Sequence, residues 1–182
     1  MANVAIVGSG FIGRAWAISF ARAGHDVRMW DQSPAATGGA RDYIAGVLGD
    51  LVANDLLRGQ AVDTVLDRIT IVADVAEALA DAVHAQENTP ENLDVKREVF
   101  SLIDTLAGPE TIIASSTSAL LPSKFTDHLQ GRHRCLVVHP IKSALSHSGG
   151  RGRAGALDLC RNGREDPRFP HRCRSCAAGD EA

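Results

Sequence analysis

Three glycines and one aspartate near the N-terminus have the spacing that holds a nucleotide. Gly8, Gly10 and Gly13 form the stretch "GSGFIG". A tight turn needs the first, close approach of a diphosphate to bare backbone needs the second, and close packing of a helix on a strand needs the third. The amides of the following helical turn, at Phe11 and Ile12, then face the phosphates, where the helix dipole favours negative charge. Asp31 stands 18 residues after Gly13. From there a carboxylate accepts hydrogen bonds from an adenosine ribose, each contributing about 1.5–3 kcal/mol when one partner is charged. A ribose 2′-phosphate meets the same carboxylate as a like charge. Two unit charges about 4 Å apart cost about 4 kcal/mol at an effective dielectric of about 20. Gln32 and Ser33 supply no cation against that cost. The expected cofactor is therefore NAD and not NADP. The alternative is a tight turn followed by a surface helix cap at Asp31.

These residues need a strand before the turn and a helix after it. "NVAIV" is a short β-branched run bounded by glycine, which reads as a buried strand. "FIGRAWAISFARAG" has apolar residues at helical spacing and Gly24 as its stop. "HDVRMWD" is a second strand, and one long helix is predicted from residue 34 to about 57. "RITIV" is a strand and "DVAEALA" a short helix with Asp74 as N-cap. "DAVHAQE" is a strand. "TPENLDVKREVFSLIDTLAG" opens on a cap with proline in its first turn and runs as a helix to Gly108. "TIIASS" and "HRCLVVHP" are the last strands, with a helical turn or two at "LPSKFTDHL" between them. Strands alternating with helices predict an α/β fold: a Rossmann-type, doubly wound, mainly parallel sheet.

The chain has 182 residues, 45% of them hydrophobic, and a formal net charge of -3. That balance gives no basic surface for nucleic acid, and no apolar stretch reaches the length of a membrane span. The N-terminus enters a strand at once without a positive leader, so no signal peptide is expected. The expectation is a cytoplasmic protein. The charge is unevenly spread. Residues 1–141 carry 11 Lys+Arg and 17 Asp+Glu, whereas residues 142–182 carry 8 and 5. The second segment holds Cys160, Cys173 and Cys176 but only Leu145, Leu157, Leu159 and Phe169 as large apolar side chains. That is too few to bury a core. A boundary is therefore expected after residue 141, with an irregular or disordered tail beyond it.

Over residues 3–141 the sequence resembles the L-3-hydroxyacyl-CoA dehydrogenase family, in its lambda-crystallin and L-gulonate 3-dehydrogenase branch. The stretches that carry the resemblance are "VAIVGSGFIGRAWAISFARAGHDVRMWD", "AQENTPENLDVKREVFSLID", "IIASSTSALLPS" and "VVHPI". The resemblance implies an NAD-binding Rossmann domain followed by a helical domain that dimerises and closes over substrate. It implies NAD-dependent oxidation of a 3-hydroxy group on an acyl-CoA or a small hydroxy acid. Ser118 matches the family serine that hydrogen-bonds the substrate hydroxyl. His139 matches the general base. Glu87 matches an acidic position at the end of the fourth strand on the nicotinamide side, Lys96 lies in the helix that follows, and the resemblance implies that both are cofactor-binding residues. Imidazole suits the role, because a secondary alcohol must lose its proton near neutral pH. On residue type alone, Ser118 also suits a cap for a helix starting near Leu120. His139 likewise suits a strand-end histidine, and Glu87 a solvated charge.

After "HPI" the family pattern continues with Asn-Pro-Pro, a hydrophobic strand and a glutamate 12 residues past the histidine. Here Arg151 holds that place, and a cation there disfavours the imidazolium. Back-translating "KSALSHSGGRGR" and removing one base from the lysine codon reads Asn-Pro-Pro-Tyr-Leu-Ile-Pro-Val-Val-Glu-Val, which restores the glutamate. Residues 142–182 are thus expected to be an out-of-frame tail standing where the helical domain begins. The nucleotide sequence around codon 142 decides that expectation. Cys173-x-x-Cys176 beside His171 then carries no metal site, since zinc needs four ligands in a shaped shell. Read this way, the chain binds NAD without appreciable turnover. The competing expectation is a non-catalytic NAD-binding or structural, crystallin-like protein.

Overall fold

The computed structural model describes residues 1–57 and 59–140, together with the backbone of residues 159–160. One sheet runs through it in the order β3-β2-β1-β4-β5-β6-β7. Its strands are β1 (Asn3–Val7), β2 (Asp26–Trp30), β3 (Ile69–Ile71), β4 (Ala82–Glu87), β5 (Ile112–Ser115), β6 (Cys135–Val138) and β7 (Leu159–Cys160). The first six pair in parallel, and β7 lies antiparallel against β6. The sheet is therefore mainly parallel and Rossmann-type, as its alternating pattern predicts. Apart from the β7 backbone, the expected out-of-frame tail and its Cys173-x-x-Cys176 motif lie outside the described residues.

From β1 the chain winds outward to β3, then returns and winds the other way through β4, β5 and β6. The reversal opens a crevice at the C-terminal ends of β1 and β4, the usual ligand position in such sheets. One face is covered by α1 (Phe11–Arg22), α3 (Ala40–Ala53) and α4 (Val62–Leu66). There Ile6, Trp16, Ile44, Leu48 and Ile69 form a buried core. The other face carries α5 (Val75–Leu79), α6 (Leu93–Leu106) and α7 (Ser123–Thr126) over Val7, Leu79, Phe100, Ile103 and Ile113. Phe100 and Phe125 are fully buried, and their rings meet edge-on with centroids 4.8 Å apart. Burying such a side chain contributes about 1.5–3 kcal/mol. The pair anchors α7 on α6 and so fixes the far end of the loop after β5.

Three local expectations change. The long helix predicted from residue 34 is two, α2 (Pro34–Gly38) and α3, broken where Gly39 leaves helical geometry at φ -106° and ψ 5°. Adjacent glycines there make the break cheap, because glycine in a helix interior costs about 1 kcal/mol relative to alanine. α4 falls where no helix was expected. α6 begins at Leu93, later than predicted, because the Asn92 side chain accepts the amides of Asp94 and Val95 at 3.0 and 3.1 Å. Pro90 thus stays outside the helix, and residues 88–92 become a loop over the crevice. Asp74 does cap α5, accepting the Ala76 amide at 2.9 Å. Among the described residues, no helix is long and apolar enough to cross a membrane.

Candidate functional site

The glycine turn joins β1 to α1 at the crevice. Gly8 has φ +95°, a region that L side chains avoid. Its amide donates to the Trp30 carbonyl at 2.8 Å, and a Cβ there would lie 2.9 Å from the Asn88 carbonyl carbon. Gly13 is pressed against the turn itself. A Cβ on it would overlap the Gly8 carbonyl oxygen and approach Ile6 Cγ2 to 3.3 Å. Gly10 differs from both. It caps α1 in extended geometry, and among the described residues nothing lies within 4 Å of where its Cβ would be. The first helical bond is donated by Arg14 N to Gly10 O at 3.0 Å. The amides of Phe11, Ile12 and Gly13 therefore precede the helix's own bonding. Open volume, unpaired amides and a helix N-terminus together suit a diphosphate.

Asp31, just past β2, reaches back to this turn. Its Oδ2 accepts the Ser9 amide at 2.7 Å and the Ser9 hydroxyl at 3.0 Å, while Oδ1 accepts the Ser33 amide at 2.9 Å. An ionised carboxylate offers about four acceptor positions, so capacity remains for a ribose hydroxyl. Arg14 braces the same turn from α1. Its Nε donates to Ser9 O at 2.8 Å, its Nη2 to Ala36 O at 3.1 Å, and its guanidinium lies 5.0 Å over the Tyr43 ring. Ser9 and Arg14 were not singled out by sequence. Ser9 is fully buried, and its only signal was a hydroxyl between two glycines.

Glu87 and Lys96 come together away from solvent. Lys96 Nζ donates to both Glu87 carboxylate oxygens at 2.9 Å. The same carboxylate accepts the Thr89 amide at 2.6 Å and the hydroxyls of Thr89 and Ser115 at 2.5 Å. Their side chains are 0% and 1% exposed. The pair faces the protein interior and ties the start of the 88–92 loop to β5 and α6.

Ser118 and His139 follow β5 and β6, and they meet: Ser118 Oγ and His139 Nε2 are 2.8 Å apart. They are 21 positions apart in the chain. Parallel pairing of β5 with β6 brings both to the sheet edge that carries the glycine turn. Ser118 caps no helix, because the next one, α7, starts at Ser123. Its loop is held instead by Glu91, which the sequence reading passed over. Glu91 accepts the Thr117 hydroxyl and the amides of Ala119, Leu120 and Ser118, the last three at 3.2, 3.3 and 3.4 Å. Partial burial pushes the Glu91 carboxyl up. The Thr117 hydroxyl, then the amides of Ala119, Ser118 and Leu120, outweigh that and hold it below the usual carboxylate range. A carboxyl depressed in the folded state stabilises that state above its unfolded value. Support for the Ser118 loop is therefore complete above about pH 4.5 and lost as pH falls through the lower folded value. Protection factors of the amides at residues 118–120, exchange rates taken relative to the intrinsic rate at each pH, should fall across that acidic window, and Glu91→Gln should show the low protection already at neutral pH. Protection that is flat with pH and unchanged by the substitution would contradict this.

Residues 3–145 match the family model described as 3-hydroxyacyl-CoA dehydrogenase, NAD binding domain. Lambda-crystallin of Oryctolagus cuniculus is 38% identical over 140 residues, covering 76% of this chain and 44% of that protein. L-carnitine dehydrogenase of Pseudomonas aeruginosa is 38% identical over 137 residues, covering 75% of this chain and 41% of that one. The solved structure of 3-hydroxybutyryl-CoA dehydrogenase from Escherichia coli K12 superposes with a TM-score of 0.70 at 29% identity, covering 76% of this chain and 29% of that one. The chain thus spans less than half the length of these relatives.

Proposed function

We propose a function for this chain from the family to which it belongs, the 3-hydroxyacyl-CoA dehydrogenases, whose NAD-binding domain it carries. The reading is NAD-dependent oxidation of a 3-hydroxy group on an acyl-CoA or a related small hydroxy acid. The carrying observation is the 2.8 Å approach of Ser118 Oγ to His139 Nε2 at the edge that bears the glycine turn. An alcohol placed beside that pair lies within hydrogen-bond reach of both atoms.

The turn residues Gly8, Gly10, Phe11, Ile12 and Gly13 would hold the diphosphate of NAD, and Asp31 the adenosine ribose. Bound there, NAD supplies a hydride acceptor for the carbinol carbon. His139 Nε2 would take the hydroxyl proton as the alcohol is oxidised to a ketone. Ser118 Oγ orients the hydroxyl toward His139. Glu91 holds the Ser118 loop, and the buried Glu87–Lys96 pair holds the loop that presents Glu91. Domain division after residue 141 belongs to the same proposal, with Arg151 standing where the resemblance expects the carboxylate partner of His139. On that account the 182-residue chain binds NAD and turns over little.

A second reading, a non-catalytic NAD-binding or structural protein, draws support from the likeness to lambda-crystallin and from Arg151. Calorimetric titration of NADH into the chain and into Asp31→Ala tests the NAD site on which the first reading rests. Losing one charge-assisted bond, worth about 1.5–3 kcal/mol, should weaken NADH about ten- to a hundredfold. Equal affinity in both proteins overturns the placement of the ribose at Asp31. NADH formation from 3-hydroxybutyryl-CoA by the wild-type chain overturns the expectation of little turnover.

A further inference from the structure

Between the glycine turn and the Ser118 loop lies a network of polar side chains that the reaction above does not use. Trp16, on α1, donates its indole N–H to Ser116 Oγ at 3.0 Å. Gln86, on β4, donates Nε2 to the same oxygen at 2.9 Å. Ser116 Oγ in turn donates to Asn88 Oδ1 at 2.8 Å. Asn88 Nδ2 donates to the Gln86 carbonyl at 2.8 Å, and His84 Nε2 sits 3.0 Å from Gln86 Oε1.

Chemistry decides the directions. An indole N–H only donates. The Asn88 amide nitrogen is committed to a carbonyl, so its oxygen faces Ser116 and must receive the hydroxyl proton. A hydroxyl has one proton and two lone pairs, and Ser116 uses all three. Trp16 is 5% exposed and Gln86 0%, so water offers neither a substitute partner.

The node joins the two halves of the crevice. The Gly13 contact sets how near α1 approaches β1. The Trp16 bond, about one turn further along, ties the helix directly to the residue that follows β5. Asn88 backs onto Gly8, since a Cβ at Gly8 would meet the Asn88 carbonyl. Ser116 stands two residues before Ser118. We propose that Ser116 is a positioning residue that sets the Ser118 loop at a fixed distance from the glycine turn. A dinucleotide reaching from the turn toward Ser118 then meets both ends at once, whereas ADP meets only the turn and Asp31. The proposal rests on the NAD-binding reading above.

Calorimetric titrations of the 182-residue chain with NADH and with ADP test it. Ser116→Ala should weaken NADH about tenfold and ADP less than about twofold, because only a ligand held at both ends feels the lost spacing. Ser116→Thr keeps the hydroxyl and should return NADH affinity to within about twofold of wild type. Trp16→Phe removes the other end of the bond and should reproduce the alanine pattern, which keeps the test decisive where Ser116→Ala folds poorly. The double variant should be no weaker than either single one, since one node is lost once. Equal weakening of NADH and ADP, or unchanged NADH affinity, overturns the positioning role. A wild-type chain that binds neither nucleotide overturns the NAD reading itself, a separate and recognisable result.

Discussion

Lys96→Met is expected to lower the unfolding free energy by about 3–5 kcal/mol, the usual cost of removing one partner from a buried ion pair. Lys96 is buried on α6, and its ammonium meets both oxygens of a carboxylate that has no contact with solvent. Methionine keeps much of the stem but leaves that charge facing only the Thr89 amide and two hydroxyls. Total stability of a domain this size is about 5–15 kcal/mol, so the loss is a large share of it. Glu87→Gln combined with Lys96→Met removes both charges and should recover much of the deficit, because the cost of an isolated buried charge disappears. Urea unfolding followed by circular dichroism measures all three proteins. A Lys96→Met chain within about 1 kcal/mol of wild type would show that the pair contributes no such support. The 88–92 loop hangs on Glu87 through Thr89, so NADH affinity should fall with stability in Lys96→Met and recover in the double variant.

What could be read from sequence was set by how local each signal is. The glycine turn is legible because its physics closes within six residues. A strand ends, bare backbone turns and a helix starts, and Gly13 meets Gly8 as its spacing requires. Asp31 is legible for a similar reason, since β2 pairs directly with β1 and brings it back to the turn. Ser118 and His139 are not legible from spacing. Twenty-one positions separate them, no periodicity links them, and only the family likeness suggested that they meet. Glu87 shows the opposite limit. Its place at the end of β4 was read correctly, yet nothing in "AQEN" announces that Lys96 turns inward from the next helix to bury with it. Glu91 sits in plain view in "PEN". Its role follows from the late start of α6 at Leu93, which leaves residues 88–92 as a loop that reaches across to residues 117–120. A helix starting near Thr89 would have carried Glu91 on its first turn, where a carboxylate serves as dipole compensation and nothing more.

Gly13→Ala and Gly10→Ala, three residues apart, should fail in different ways. At Gly13 the added methyl overlaps the Gly8 carbonyl oxygen and crowds Ile6. The carbonyl belongs to the main chain of the turn and does not yield by a rotamer change, so α1 must lift off the sheet. Overpacking of this kind costs about 1–3 kcal/mol even where side chains can adjust. Stability should fall by at least that much, and NADH affinity by about a hundredfold as the first-turn amides swing from their place. At Gly10 the methyl enters open space, and φ of -65° suits any residue. Stability should therefore stay within about 1 kcal/mol of wild type, the cost of alanine in place of glycine at an N-cap. NADH affinity should still fall at least about tenfold, because in the proposed site the diphosphate approaches bare backbone in the space over Gly10. The contrast separates a glycine kept for packing from one kept for a ligand. Thermal unfolding and NADH titration on the same two variants read both quantities. A Gly10→Ala chain that keeps its NADH affinity would mean that the diphosphate does not lie over this turn, and Asp31 would then hold Ser9 for the fold alone.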